Sequence, residues 1–152
     1  MNVIWTEHAI RRFDAVDIGV AMASERGLVT PVARGVARRS VTAVSANLRD
    51  LADRAQTGRL AQREIEGGTF CISNLGMYGT EDFSAIINPP QSAILAVGAA
   101  ISEPVVQDGE LAVGTVMRVT LSVDHRPIDG STAAEWMQTF TGIIENPLQI
   151  LV

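Results

Sequence analysis

In the segment EPVVQDGELAVGTVMRVTLSV (103–123), two apolar stretches meet at Asp108-Gly109, and that pair commits the chain to an antiparallel hairpin. A type I′ turn needs positive φ at both central residues. Aspartate tolerates this and glycine favours it, and the turn's twist matches that of the strands it joins. A hairpin alone is marginal in water, so further strands are expected to widen it. SAILAVGAA (92–100) and FSAII read as strands on either side of the turn NPPQ, and TFCISNLG (69–76) as a strand opened by Gly67-Gly68. NVIWT (2–6) and IRRFDAVDIGVAMAS (10–24) carry extended patterns, with GVAMA as a strand of small residues. RGLVTPVARG (26–35) reads as a turn, a short strand interrupted by Pro31 and a second turn; the proline marks a sheet edge or strand end.

Two segments repeat at helical spacing. In 40–57, Val41, Val44, Leu48, Leu51 and Ala55 make one apolar face, with Ser40 as N-cap and Gly58 as stop. In 130–145, Ala133, Trp136, Met137, Phe140 and Ile144 are expected to point inward, and Asn146-Pro147 closes the helix. Strands dominate the middle without regular βαβ alternation. The expected class is α+β: a mixed sheet flanked by helices, in one domain over 1–152. The 152 residues suffice to bury a core.

The charge pattern removes several functions. The net charge is −5, and no basic stripe is available for nucleic acid. All 12 basic residues are arginine. Without lysine the chain forms no Schiff base and carries no lipoyl or biotinyl group, and the usual P-loop lysine is missing. One cysteine allows no intrachain disulfide. The N-terminus lacks signal-peptide order, and the longest apolar run, SAILAVGAAI (92–101), is half the roughly 20 residues of a membrane helix. The expectation is a cytoplasmic protein with no nucleic-acid or membrane partner.

The candidates for chemistry each have a plain structural alternative. His125, one of two histidines, ends an apolar run in Asp124-His125-Arg126. It is either a strand-end histidine held by a carbonyl or a base suited to neutral pH. Asp129 precedes a helix and is a natural N-cap. Ser73 stands where a strand meets Asn74-Leu75-Gly76, a turn position. Cys71 shares a strand face with Thr69 and Ser73 and has no cationic neighbour in sequence, which makes it a poor nucleophile. His8 is expected to be exposed, and the two histidines and one cysteine make no metal set. GMYG (76–79) lacks phosphate-loop spacing, and Arg34, Arg38 and Arg39 read as a solvated loop.

Taken in order, GTFCISNLGMYGTEDFSAIINPPQSAILAVGAA and TVMRVTLSVDHRPIDGSTAAEWMQTF resemble the catalytic domain of the dihydrolipoyl acyltransferases, core subunits of 2-oxo acid dehydrogenase complexes. The specific parts are His-Arg-x-x-Asp-Gly at 125–130 and Ser-Asn-Leu-Gly at 73–76, and the likeness extends through DIGVAMASERGLVTPVARG. The resemblance implies a chloramphenicol acetyltransferase-like fold and acyl transfer to or from coenzyme A as substrate. It implies His125 as general base, Ser73 as oxyanion donor, and Asp129 as a chiefly structural residue that pairs with an arginine and holds the loop of His125. It further implies a trimer or an assembly of trimers, with the channel between subunits and His125 and Ser73 drawn from different chains.

Relatives carry about another third of a domain before the segment matching NVIWTEHAIRRF, so 1–152 corresponds to the C-terminal two-thirds of the family domain, without lipoyl or subunit-binding domains. The expectations then divide three ways. The first is transfer of an acetyl or similar group from coenzyme A to a free acceptor such as a small-molecule hydroxyl. The second is the ordinary dihydrolipoyl reaction on an arm carried by another subunit. The third is a structural component without activity. A separate chain supplying the N-terminal part or a lipoyl domain is an expected partner.

Overall fold

The computed structural model describes residues 1–25 and 27–151, Leu151 by its backbone. Arg26, at the head of the expected 26–35 turn, and Val152 lie outside the described residues. The chain runs through β1 (Val3–Trp5), β2 (Ile10–Arg12), β3 (Ile18–Val20), β4 (Met22–Ser24), β5 (Gly27–Val29) and β6 (Val32–Ala33). Then follow α1 (Val41–Gln56), the short α2 (Gln62–Ile65), β7 (Phe70–Asn74), β8 (Ala93–Gln107), β9 (Glu110–Val123) and α3 (Gly130–Glu145). Five strands form the main sheet in the order β6-β3-β7-β8-β9. β3, β7 and β8 are parallel, while β6 and β9 join antiparallel. The sheet is therefore mixed, as the sequence predicts.

Asp108 and Gly109 adopt φ of 53° and 86°, the left-handed pair a type I′ turn demands. The hairpin they close is interrupted once. Val97 pairs with Val119 and Ala100 with Met117, so Gly98 and Ala99 together face Arg118 as a bulge. The loop that follows β7 is packed into this bulge. A Cβ on Gly98 would overlap the Glu81 carbonyl, and the Ala99 amide donates to Thr80 O at 2.8 Å.

The expected strand at FSAII does not form. Its neighbour in sequence, β8, is already paired by β7 on one side and β9 on the other and has no free side for it. The segment is irregular, and Asp82 just before it accepts from the Thr120 hydroxyl on β9 at 3.1 Å. GVAMA is two strands, not one. The chain leaves the main sheet at Ala21, whose amide donates to Ile72 O, and β4 pairs with β5 in a separate ribbon.

Both helices form over the predicted spans. The Ser40 side chain accepts from the Ala43 amide and caps α1, whose Leu51 and Ala55 are buried. Helix α3 lies on the sheet face that carries Phe70, Ile72 and Leu95, bringing Ala133, Trp136, Met137 and Phe140 to the core. Trp136 sits between Phe70 and Phe140, with centroids 5.4 and 5.3 Å away. Ile144 is a correction: it is 47% exposed, because it lies in the last turn, beyond the reach of this core. Among the described residues, no helix is long and apolar enough to cross a membrane.

Candidate active site

His125 projects from the turn between β9 and α3, and the sequence holds that turn at both ends. The Asp124 amide donates to Ser92 O at 2.8 Å, extending the β8–β9 ladder by one step. The Ile128 amide donates back to Asp124 O at 3.2 Å, and the Ile128 side chain is buried in the core. His125 itself is exposed and lines a cleft of about 840 Å³ with Trp5, Glu7, Pro90, Gln91 and Arg126. The far wall of the cleft comes from the turn at Asn88–Gln91, closed by the Gln91 amide donating to Asn88 O at 3.1 Å.

Asp129 caps α3. Its Oδ1 accepts from the Thr132 amide at 2.7 Å and from the Ser131 hydroxyl at 2.8 Å. These bonds, the amide first, and the nearby His125 hold its carboxyl down to about 2. Among the described residues Asp129 is in no ion pair with an arginine. These bonds are those of an N-cap, as the sequence predicts for Asp129.

Ser73 lies elsewhere. It pairs with Ala96 at the C-terminal end of β7, half-buried, in a cavity of about 450 Å³ lined by Val20, Met22, Leu28, Met77 and Tyr78. The turn after it is served by Asn74, whose Oδ1 accepts from the Gly76 amide at 2.9 Å. The register separates Ser73 from His125. Ala96 pairs with Thr120, while Val123, the last residue of β9, pairs with Ala93 at the start of β8. At about 3.3 Å per residue, the two candidates are more than about 10 Å apart along the strands and two strands apart across the sheet. One chain thus carries the two groups well apart on its sheet, too far to meet at one reacting carbon.

The remaining candidates are structural. Cys71 is 1% exposed, and burial pushes its thiol up to about 11, so little thiolate exists at neutral pH. His8 is exposed beside Glu7. Arg34 is not a solvated loop residue. Its guanidinium donates to Asp17 at 3.1 Å and to the carbonyls of Gly67, Arg63 and Glu66, tying β6 to the entry of β7. Arg39 likewise donates to Asn47 at 2.8 Å and to Ala43 O. Trp5 and Gln91 were not legible as site residues. Each is far from His125 in sequence, and only the tertiary fold brings them to the cleft.

The family model of 2-oxoacid dehydrogenases acyltransferase (catalytic domain) matches residues 1–152. The chain is 44% identical over 155 residues to the mitochondrial dihydrolipoyllysine-residue acetyltransferase component of the pyruvate dehydrogenase complex of Dictyostelium discoideum. The match takes in 100% of this chain and 24% of that protein. Among solved structures, it superposes on the Azotobacter vinelandii dihydrolipoamide acetyltransferase with a TM-score of 0.94 at 33% identity, covering 99% of this chain and 63% of the other. That structure belongs to a crystallographic and enzymatic study of the roles of a serine, a histidine and an asparagine in catalysis. The cubic core of the pyruvate dehydrogenase multienzyme complex gives the same TM-score, 0.94, at 32% identity, with 99% and 63% covered. The chain therefore spans about a quarter of the curated relative's length and under two thirds of the solved chains.

Proposed function

This chain belongs to the 2-oxoacid dehydrogenase acyltransferase family, and from that premise we propose that it moves an acetyl or similar short acyl group between coenzyme A and a dihydrolipoyl thiol, with His125 as general base. One observation carries the reading. In the Azotobacter enzyme the serine, histidine and asparagine are separated by 52 and then four positions. The same intervals run from Ser73 to His125 and from His125 to Asp129. The dihydrolipoyl acceptor is favoured over a small-molecule hydroxyl because the relatives' names specify it. With no lysine in this chain, the lipoyl group is carried elsewhere.

The chemistry follows from these two groups. The neutral imidazole of His125 takes the proton of the attacking thiol, whose sulfur bonds to the thioester carbonyl carbon. The carbonyl oxygen becomes an oxyanion, and the Ser73 hydroxyl of an adjoining copy donates to it. Collapse breaks the original carbon–sulfur bond, and the imidazolium gives its proton to the departing thiolate, which leaves as the thiol. No acyl-enzyme is formed. Asp129 holds the start of α3 and with it the far end of the His125 turn. Since Ser73 and His125 of one chain cannot meet, the working unit is an assembly, in line with the trimer the family resemblance implies.

The test is thiol release from acetyl-coenzyme A with free dihydrolipoamide, alongside small alcohols and the His125→Ala variant. Dihydrolipoamide-dependent release that disappears in the variant supports the proposal. Release with an alcohol alone moves the acceptor to a hydroxyl, and release unaffected by the variant overturns the role of His125. A well-folded assembly that releases nothing favours a structural role or a missing partner chain.

A further inference from the structure

His125 is straddled by its two neighbours. Asp124 Oδ1 accepts from the Arg126 backbone amide at 3.1 Å and from Arg126 Nε at 2.9 Å. Asp124 Oδ2 accepts from Nε at 3.1 Å and from Nη2 at 2.6 Å. One carboxylate thus receives both the backbone and the guanidinium fork of the residue two further on. The peptide units of His125 cannot turn without breaking these bonds.

Each end of this brace is tied to a different part of the fold. Asp124 continues the β8–β9 ladder through Ser92 O, and its own carbonyl accepts from the amide of buried Ile128. The Arg126 guanidinium carbon lies 5.6 Å from the centroid of the Trp5 ring, on β1. That distance permits a cation–π contact. The Arg126 side chain is 64% exposed and that of Asp124 17%. An exposed pair of this kind contributes little to stability. Its geometric effect is large by comparison, because a misplacement of about 1 Å in a reacting group can cost about a hundredfold in rate.

We propose that Asp124 and Arg126, with Trp5 beneath the guanidinium, are positioning residues that fix the backbone from which the His125 imidazole projects. The inference rests on the reading of His125 as general base and adds to it a device that neither the helix cap at Asp129 nor the serine provides. Bond counting supports it: Asp124 accepts from three N–H groups of one residue, Nε being shared between both carboxylate oxygens, and that residue is separated from it only by the base. The same bonds hold the Asp124 carboxyl below its ordinary range.

The test uses steady-state kinetics of the assembled protein with Arg126→Gln, Arg126→Lys, Asp124→Ala and the Asp124→Ala/Arg126→Ala pair. Arg126→Gln is decisive, because an exposed side chain is removed and the fold is retained, as its melting temperature checks. It is expected to lower kcat by about ten- to a hundredfold while KM for acetyl-coenzyme A stays within about twofold. Arg126→Lys should recover only part of the loss, since an ammonium lacks the fork. The double variant should be no slower than the slower single. An unchanged kcat, or a raised KM with kcat intact, overturns the proposal, the latter making Arg126 a substrate-binding group.

A second readout is independent of activity. NMR of the two histidine side chains, distinguished by a His8→Gln variant, should show His125 averaging among rotamers in Arg126→Gln but not in the parent protein. A His125 signal unchanged by Arg126→Gln overturns the brace, even if the parent protein transfers no acyl group. Loss of activity in the parent alone would count against the catalytic reading and not against the brace.

Discussion

His125, Ser73 and Asp129 each have a structural alternative in the sequence, and the structure places the three differently. Asp129 does the structural work expected of it: its bonds to Thr132 and Ser131 are those of an N-cap. Ser73 does not serve its turn, because Asn74 does. His125 follows the end of β9 and is exposed in a cleft, and its role as a base is the proposal to be tested. His125→Ala is expected to lower the transfer rate by about 10²–10⁴-fold, as for loss of a general base. Ser73→Ala should cost about 10²–10³-fold, as for one oxyanion donor. Both are checked by thiol release, with melting temperatures to confirm the fold. The carboxyl of Asp129 is depressed to about 2 in the folded state. Its contribution is therefore complete above its unfolded value and disappears as the pH falls through the folded one. The gap in melting temperature between the parent protein and Asp129→Asn should narrow from about pH 5 and close near about pH 2.

The elements follow from local rules wherever those rules are complete. Capping and 3.6-residue spacing placed α1 and α3, and the Asp-Gly pair placed the long hairpin. Ser40→Ala is expected to destabilise the protein by about 1 kcal/mol through loss of the α1 cap. Leu51→Ala, at a residue only 2% exposed on the same helix, should cost about 2–5 kcal/mol. Both are read by urea unfolding. Local rules failed where pairing partners were already taken. FSAII has strand composition, but β8 has no free side to offer it. GVAMA divides because the backbone at Ala21 changes sheet. Neither signal is carried by the segment itself. The bulge at Gly98 is similar: the glycine is visible, but its reason, the Glu81 carbonyl lying against it, is not.

At the scale of the molecule, Ser73 and His125 lie well apart on one sheet, so the proposed reaction needs a site shared between copies. Each site of the proposed trimer then takes His125 from one copy and Ser73 from the next. Mixing His125→Ala and Ser73→Ala proteins, then unfolding and reassembling them together, should restore activity, because a mixed trimer contains one interface with both groups intact. Each variant reassembled alone should keep only its own lowered rate. If the mixture does no better, the two groups do not act at a shared interface. By itself the sequence determined the turn, the caps, the helical spans and the order of the motifs, because these depend on residues within a few positions of one another. The tertiary structure alone decided which strands pair, that Trp5 and Gln91 reach the cleft of His125, and that Ser73 does not. These depend on sheet register and on competition for strand edges, which are settled only when segments far apart in the chain are packed together.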